Sequence, residues 1–266
     1  MTVIINSKTD IAKMRIAGKL GAEVLDYITP FVTPGVTTDE INNLCHKYMT
    51  EQQNTIPAPL NYSPPGHLPF PRSICTSINN QICHGIPGPK ILKKGDIVNI
   101  DVTAIVNGWH GDTSRMFYVG DVSVKSRNLV SATYDSMMKA INIIKEGVYL
   151  GDLGEIIQTF VEGKGFSVVR DFCGHGIGKI FHQAPNILHY GKKGEGEQLK
   201  AGMIFTVEPM INDGLYNTKM LKDGWTAVTK DKSLSAQFEH TVGVTNDGFE
   251  IFTKSKKEYT QPPYSI

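Results

Sequence analysis

Apolar residues recur every three or four positions from residue 8 to residue 31, which is the spacing of a helix with one buried face. After a Pro34-Gly35 break, Thr37 and Glu40 have the spacing of a capping box, and this predicts the start of a second helix. The second half repeats this order, with apolar periodicity around 126–145 followed by a shorter helical pattern around 152–162. Each half is therefore predicted to open with two helices.

Strand-like patterns follow the helices in both halves. Residues 57–72 differ from them, because six prolines in this segment predict an extended loop. Helices lying beside mainly antiparallel strands predict an α+β fold. The predicted strands are residues 73–83, 97–106, 109–119, 167–173, 203–211 and 235–245.

One segment of the chain recurs about a hundred residues later. Residues 92–101 (LKKGDIVNID) return at 199–208 as LKAGMIFTVE, and each copy ends on a carboxylate. A His-Gly-Ile triplet precedes each copy, at 84–86 and 175–177. The repeat spans about half the chain, whereas solenoid repeats are only ~20–50 residues long. We therefore predict two related halves whose functional groups converge.

The expected organisation is a single catalytic domain over residues 1–266, with halves of about 1–124 and 125–266. The composition gives no sign of a nucleic-acid or membrane surface, since 27 basic and 26 acidic residues leave a net charge of +1. No apolar run approaches the ~18 residues of a membrane span, and no signal peptide is visible. The four cysteines form no C-x-x-C pair. A soluble, cytoplasmic protein with free thiols is expected.

Two acidic residues fall on one predicted strand pair. Residues 98–104 alternate strictly, so that Asp101 lies on the polar face. Asn107-Gly108 predicts a two-residue hairpin turn, and this turn places Thr103 opposite Asp112. Asp101 and Asp112 are then diagonal neighbours, close enough to share a cation. The alternative is that both are solvated strand residues or accept hydrogen bonds from nearby hydroxyl groups.

The second half carries matching acids. Glu208 ends the repeated strand, and Glu239 lies in another alternating segment. Four neighbouring acids could not all stay ionised in a dry site without cations between them. His175, flanked by glycines, would add a neutral nitrogen ligand. This set of ligands suits two divalent ions.

The chain resembles the type I methionine aminopeptidases, in the short bacterial form, over residues 8–254. The resemblance implies the pseudo-two-fold, duplicated "pita-bread" fold of the creatinase and aminopeptidase proteins, with an antiparallel sheet covered by helices. The motifs that carry the resemblance are CHGIP (83–87), NIDVT (99–103), GDTSR (111–115), GHGIG (174–178), VEPM (207–210) and SAQFEHT (235–241).

The resemblance also implies a metal-dependent hydrolase that removes N-terminal methionine. Asp112 and Glu239 would bridge two metals, Asp101 would complete the shell of one, and His175 with Glu208 that of the other. A bridging water would attack as hydroxide, with Glu208 as general acid and base. The metals could be cobalt, manganese, iron, nickel or zinc, because ligand softness does not separate them.

Further roles are implied around this centre. His182 would contact the scissile carbonyl oxygen and His84 the next amide, whereas the alternative for each is a structural histidine. A monovalent cation is expected near Asn79 and Ser235.

The loop 63–68 is longer than is common in the family. The methionine pocket would be lined by Tyr62, Phe70, Cys75, Phe181 and Trp225. The remaining histidines, His46, His67, His110, His189 and His240, are read as structural or surface residues.

Two other functions use the same fold. A metal-free module that binds RNA or protein would lack the ligands, and here all five are present. A proline-specific aminopeptidase would have a longer chain with an N-terminal domain and further histidines. Type II methionine aminopeptidases usually carry a helical insertion, yet only 26 positions separate His182 from Glu208. The expected partners are nascent polypeptides that begin with methionine, met transiently at the ribosome by a monomeric enzyme.

Overall fold

The computed structural model describes residues 3–264. It contains four α-helices, α1 (Lys8–Ile28), α2 (Thr38–Lys47), α3 (Val124–Ile141) and α4 (Leu150–Glu162). A short 3₁₀ turn (Thr29–Phe31) follows α1, and a π turn (Tyr48–Gln52) follows α2. No helix in the described part of the chain has the length and apolar character needed to cross a membrane.

Fifteen short strands make up the sheets of the described chain. In chain order they are β1 (Ile56–Pro57), β2 (Cys75–Ile78), β3 (Gln81–Cys83), β4 (Ile97–Val106), β5 (Trp109–Tyr118), β6 (Ser167–Val168), β7 (Gly174–Gly176), β8 (Gln183–Ile187), β9 (Ile204–Val207), β10 (Met210–Asn212), β11 (Thr218–Met220), β12 (Ala227–Thr229), β13 (Ser235–Gln237), β14 (Glu239–Val244) and β15 (Phe249–Ile251).

One large sheet unites strands from both parts of the sequence. Its order is β1-β4-β5-β14-β9-β7-β8, with β2 also paired to β4 and β15 to β14. Two three-stranded sheets, β13-β10-β6 and β11-β12-β3, complete the structure. All strand pairings in the described part of the chain are antiparallel, as the alternating sequence patterns predicted. The α+β prediction is confirmed.

The helix predictions are also confirmed. At α2, Thr37 Oγ1 accepts from the backbone N–H of Glu40 at 3.1 Å, while the Glu40 carboxylate accepts from the Thr37 N–H at 2.7 Å. These reciprocal bonds satisfy amides that the first turn of a helix leaves free. Helix α1 packs across β4 and β5, and α3 packs near β10 and β13. Each pair of helices thereby covers apolar residues of the sheets.

Four predicted strands have different boundaries. Segment 73–83 divides into β2 and β3, which belong to different sheets. Segments 203–211 and 235–245 each divide into two strands, β9 with β10 and β13 with β14, which belong to different sheets. The first division falls at Glu208-Pro209, where proline supplies no N–H for the ladder. Segment 167–173 forms a strand only at β6, and the next strand, β7, begins at Gly174. The chain changes sheets at Glu208 and immediately before Glu239. Both acids therefore lie where two sheets meet.

The contact between α1 and β5 provides a test of this packing. A Cβ atom on Gly111 would lie inside van der Waals distance of the Ala17 backbone carbonyl in α1. We expect Gly111→Ala to lower the free energy of unfolding by about 3 kcal/mol, because neither backbone can move without opening the layer. Urea unfolding measures this loss. Gly88→Ala is the control, since its Cβ would meet no atom within 4 Å; equal stability of the two variants would contradict the packing.

Candidate metal centre

The β4–β5 hairpin brings the first two acids together. Asn107 and Gly108 have φ values of 50° and 77°, as a tight hairpin turn requires. Thr103 pairs with Asp112, and Asp101 pairs with Ser114, so the two acids are diagonal neighbours on one face. The register predicted from the turn is confirmed.

The other two acids join the same region across the sheet. Glu239 opens β14 and pairs with Ser114, the residue that also pairs with Asp101. Glu208 follows the last residue of β9, whose register with β14 pairs Val207 with His240. Continuing that register by one step brings Glu208 level with Glu239. Acids far apart in the sequence therefore lie on adjacent strands.

His175 completes the cluster from β7. Its Nε2 atom lies 3.6 Å from Asp112 Oδ2 and 3.6 Å from Glu208 Oε1. Asp112, His175 and Glu239 each offer one ligand atom within 4.8 Å of the other two. Asp101 and Glu208 line the same cavity. The structure thus brings together all five residues predicted as ligands.

The charges of this cluster are not balanced within the protein. Burial raises the pKa of Asp101 to about 7, and burial together with the Asp101 charge raises that of Asp112. Burial and the Asp112 charge also raise the pKa values of Glu208 and Glu239. Among the described residues, no lysine or arginine forms a salt bridge with any of the four acids.

His175 would contribute a neutral ligand, because burial lowers its pKa to about 4. Four carboxylates and a neutral imidazole are donors that divalent transition metals accept. The lack of a basic partner for the acids is what a cation site requires. The residues present therefore fit a metal centre.

Three residues that sequence reasoning missed support Glu208. Thr206 Oγ1 donates to Glu208 Oε1 at 2.8 Å and accepts from the His175 backbone N–H at 3.0 Å. Gln237 Nε2 donates to Glu208 Oε2 at 3.1 Å. His189 Nε2 accepts from the Glu208 backbone N–H at 3.1 Å, so this histidine, read from the sequence as structural or surface, contacts the centre's backbone. Thr206 and Gln237 each precede an acid by two residues, and that alternation was a signal that could have identified them.

The Thr206 hydroxyl joins the backbone of one predicted ligand to the carboxylate of another. We expect Thr206→Val to weaken Co²⁺ binding by about 10–100-fold, the usual cost of losing an outer partner of a metal ligand. Thr206→Ser should retain wild-type affinity, since it keeps the hydroxyl. Isothermal titration of the metal-free protein measures both.

Thr229→Val is the matched control for this prediction. Thr229 is a buried strand threonine whose hydroxyl donates to the Ser233 carbonyl, and it does not line the cavity. If Thr206→Val and Thr229→Val bind Co²⁺ equally well, the hydroxyl has no part in the centre.

A cavity of about 470 Å³ opens over the acids, and the residues predicted as substrate contacts line it. Tyr62 Oη lies 2.8 Å from His182 Nδ1, and the Tyr62 ring meets that of Phe181 edge-on at 5.0 Å. His84 is half-buried in the cavity wall, and its desolvation there lowers its pKa to about 4. The predicted wall residues Phe70, Cys75 and Trp225 form one buried apolar cluster beside Tyr62.

The loop 63–68 forms part of the cavity rim. Trp225 Nε1 donates to the Leu68 carbonyl at 2.9 Å, and the His67 ring lies 5.1 Å from that of Trp225. His67 is exposed, and its side chain also lines the cavity. The loop is therefore attached to the same tryptophan that forms the apolar wall.

The remaining predicted residues lie outside the cluster of acids. Asn79 and Ser235 are adjacent, with the Ser235 N–H donating to the Asn79 carbonyl at 2.8 Å. His110 stacks on Phe181 at 5.4 Å. His46 bonds Ser73, and His240 bonds Thr253.

Buried acids and an imidazole that meet in one cavity of an antiparallel fold are a donor set typical of metal-binding proteins. The sequence profile of metallopeptidase family M24 matches residues 12–246, and the chain belongs to this family, among its methionine aminopeptidases. It is 60% identical to the methionine aminopeptidase of Rickettsia prowazekii over 265 residues, covering 99% of this chain and 100% of that one. The Escherichia coli K12 methionine aminopeptidase is 49% identical over 259 residues, covering 97% and 96%.

Solved structures agree with this assignment. The crystal structure of the Rickettsia prowazekii methionine aminopeptidase has a TM-score of 0.91 and covers 95% of this chain and 100% of that chain. The Pyrococcus horikoshii prolidase, at 20% identity, shares the fold with a TM-score of 0.72, covering 96% of this chain and 65% of that one. The family and fold predictions are confirmed.

Proposed function

We propose that the chain removes the N-terminal methionine of peptides and nascent proteins with the help of two divalent cations. The observation that carries this proposal is the convergence of Asp101, Asp112, His175, Glu208 and Glu239 on one cavity with no basic partner. The membership among methionine aminopeptidases supports the same activity.

The ligands divide between two ions. Asp112 and Glu239 would hold both, Asp101 would hold one, and His175 with Glu208 would hold the other. The central position of Asp112, near both His175 and Glu239, supports its role as a shared ligand. Manganese, iron, cobalt, nickel and zinc all accept this set of ligands.

When bound, such ions supply Lewis acidity that polarises a carbonyl group and makes water a stronger acid. Glu208 takes a proton from the attacking water and returns it to the leaving nitrogen. Its carboxylate is suited to this transfer because Thr206 and Gln237 fix both oxygen atoms while 12% of the side chain remains exposed to the cavity.

His182 and His84 orient the peptide bond. The Tyr62 hydroxyl lies 2.8 Å from His182 Nδ1 and in this role would donate to it, which leaves the Nε2–H free to donate to the scissile carbonyl oxygen. Burial lowers the pKa of His182 and of His84, so both are neutral near pH 7. A neutral ring close to the metal centre does not repel the cations. His84 contacts the amide that follows the scissile bond.

The apolar cluster around Phe70 and Trp225 binds the methionine side chain. Aromatic rings and the Cys75 thiol form a soft wall that suits a thioether. A cavity of about 470 Å³ is a typical size for a small-molecule site. A preference for a small second residue is part of the same proposal.

Other parts of the proposal concern the protein as a whole. Residues 1–266 form one catalytic domain of two related halves, joined through the large sheet. A monovalent cation binds near the adjacent Asn79 and Ser235. The enzyme acts in the cytoplasm as a monomer, with transient contact to the ribosome as chains emerge.

Methionine release from Met-Ala-Ser and Met-Leu-Ser tests this function, after chelation and again after addition of Mn²⁺ or Co²⁺. Metal-dependent cleavage of Met-Ala-Ser with little cleavage of Met-Leu-Ser is expected. A peptide with proline second and no N-terminal methionine is the control. Cleavage confined to that peptide would indicate a proline-specific aminopeptidase instead, and no cleavage despite bound metal would favour a binding module.

A further inference from the structure

Strand β11 is an outer strand at the rim of the cavity. It pairs with β12 on one side and, within residues 3–264, with no strand on the other. Edge strands are commonly kept short and carry a lysine that prevents pairing with another chain. Strand β11 has three residues and carries Lys219. Its place beside the cavity, which Met220 helps to line, distinguishes it from such an edge.

The hairpin register shows which backbone groups are free. Leu221 N–H donates to Thr226 O, and Lys230 N–H donates to Asn217 O. Hydrogen-bonded positions alternate along an antiparallel pair. The backbone N–H and C=O groups of Lys219 therefore also point toward β12. The register therefore turns the N–H and C=O groups of Thr218 and Met220 away from β12, toward the side on which the described chain places no strand.

The side chains of these two residues lie on the strand face that adjoins the cavity. Met220 lines it directly, and the Thr218 hydroxyl donates to the carboxylate of Asp171, which lines it too. The Met220 side chain is nevertheless 43% exposed, as expected at a mouth. Leu215, Tyr216 and Leu221 extend this exposed apolar segment along the hairpin.

We propose that the free edge of β11 binds the substrate chain beyond its first two residues, as an added β-strand. This inference rests on the proposed function, because a nascent chain with its first residue in the cavity must continue outward across the rim. An extended backbone presents N–H and C=O groups at the spacing that Thr218 and Met220 offer. Main-chain pairing is also insensitive to sequence, which suits an enzyme that acts on many different chains.

A length series on the wild-type enzyme tests the proposal. We expect kcat/KM for Met-Ala-Ser-Thr-Val-Thr to exceed that for Met-Ala-Ser by about 10-fold, the effect of two main-chain hydrogen bonds. N-methylation of residues 3 to 6, one at a time, should abolish the gain at every second position, because alternate N–H groups face the edge strand. Equal rates for both peptides, or an equal effect of every methyl group, would overturn the proposal.

Variants of the hairpin separate backbone from side chain. Met220→Pro lacks the outward N–H and should reduce the hexapeptide-to-tripeptide ratio of kcat/KM to about 1, whereas Met220→Ala should keep the ratio. Lys222→Pro is the matched control, since it places proline in the Leu221–Gly224 turn, whose Gly224 N–H bonds Leu221 O. If Met220→Pro does not fold, the N-methylated peptides assayed with the wild-type enzyme test the proposal by themselves.

Three outcomes distinguish the proposal from its alternatives. Absence of methionine release from either peptide by the metal-loaded wild type would refute the proposed function itself. Release at equal rates would refute only the role of β11. If sedimentation shows a dimer that Met220→Pro converts to a monomer, the edge binds a second copy of the chain and not substrate.

Discussion

Replacing Glu208 by glutamine is expected to lower kcat by about 10³-fold, within the 10²–10⁴-fold range of a positioned acid–base group. Glutamine preserves the shape of the side chain, and its carbonyl oxygen still accepts from Thr206 at the Oε1 position. It cannot take a proton from water or return one to the leaving amine. Steady-state cleavage of Met-Ala-Ser, assayed with saturating metal, measures the loss.

The control for this variant is Glu197→Gln, an identical change at an exposed glutamate outside the cavity. Its kcat should equal that of the wild type. Thermal unfolding should show both variants folded, since Glu208 contributes little apolar burial. Near-normal turnover of the metal-loaded Glu208→Gln protein would exclude the proton transfer proposed for this residue.

Asp112→Asn is expected to abolish measurable turnover and to weaken Co²⁺ binding by more than ~100-fold, beyond the loss typical of an outer partner. Asp112 is 4% exposed and lies near both His175 and Glu239, so its carboxylate is proposed to hold both ions. An amide oxygen carries no charge to offset two cations. Isothermal titration of the metal-free protein measures the affinity.

The metal-free form of this variant should be at least as stable as the wild type. The substitution removes one of four buried acids that repel one another, while its Oδ1 atom can still accept from Thr103. Asp121→Asn is the control, because Asp121 lies on the surface in a salt bridge with Lys94. If Asp112→Asn bound Co²⁺ with wild-type affinity, Asp112 would not be a ligand of the metal centre.

The elements that sequence predicted well depend on local chemistry. The capping box at Thr37 and the turn at Asn107-Gly108 are each complete within a few residues, so their geometry follows from side-chain type and positive φ. Because the turn sets the register of a hairpin, it also placed Asp101 diagonal to Asp112. The acids of the candidate centre were therefore identifiable before their neighbours were known.

Other features could not be read from local patterns. The segments around Glu208 and Glu239 looked like single strands, yet each divides between two sheets at the acid. His189 looked structural, and only folding brings its ring to the Glu208 backbone, 19 positions away. Such contacts depend on how separate strands pack, which no alternation within one strand specifies.

By itself, the sequence determined the helices, the β4–β5 register, the four acids with His175 and the family, because local propensity and motif order encode these features. The tertiary structure alone decided how those acids meet without a basic partner among the described residues, that Thr206 connects His175 to Glu208, and that β11, an outer strand, contributes Met220 to the cavity lining. These depend on distances between residues remote in the chain, which are fixed only when apolar burial packs the helices on the sheets.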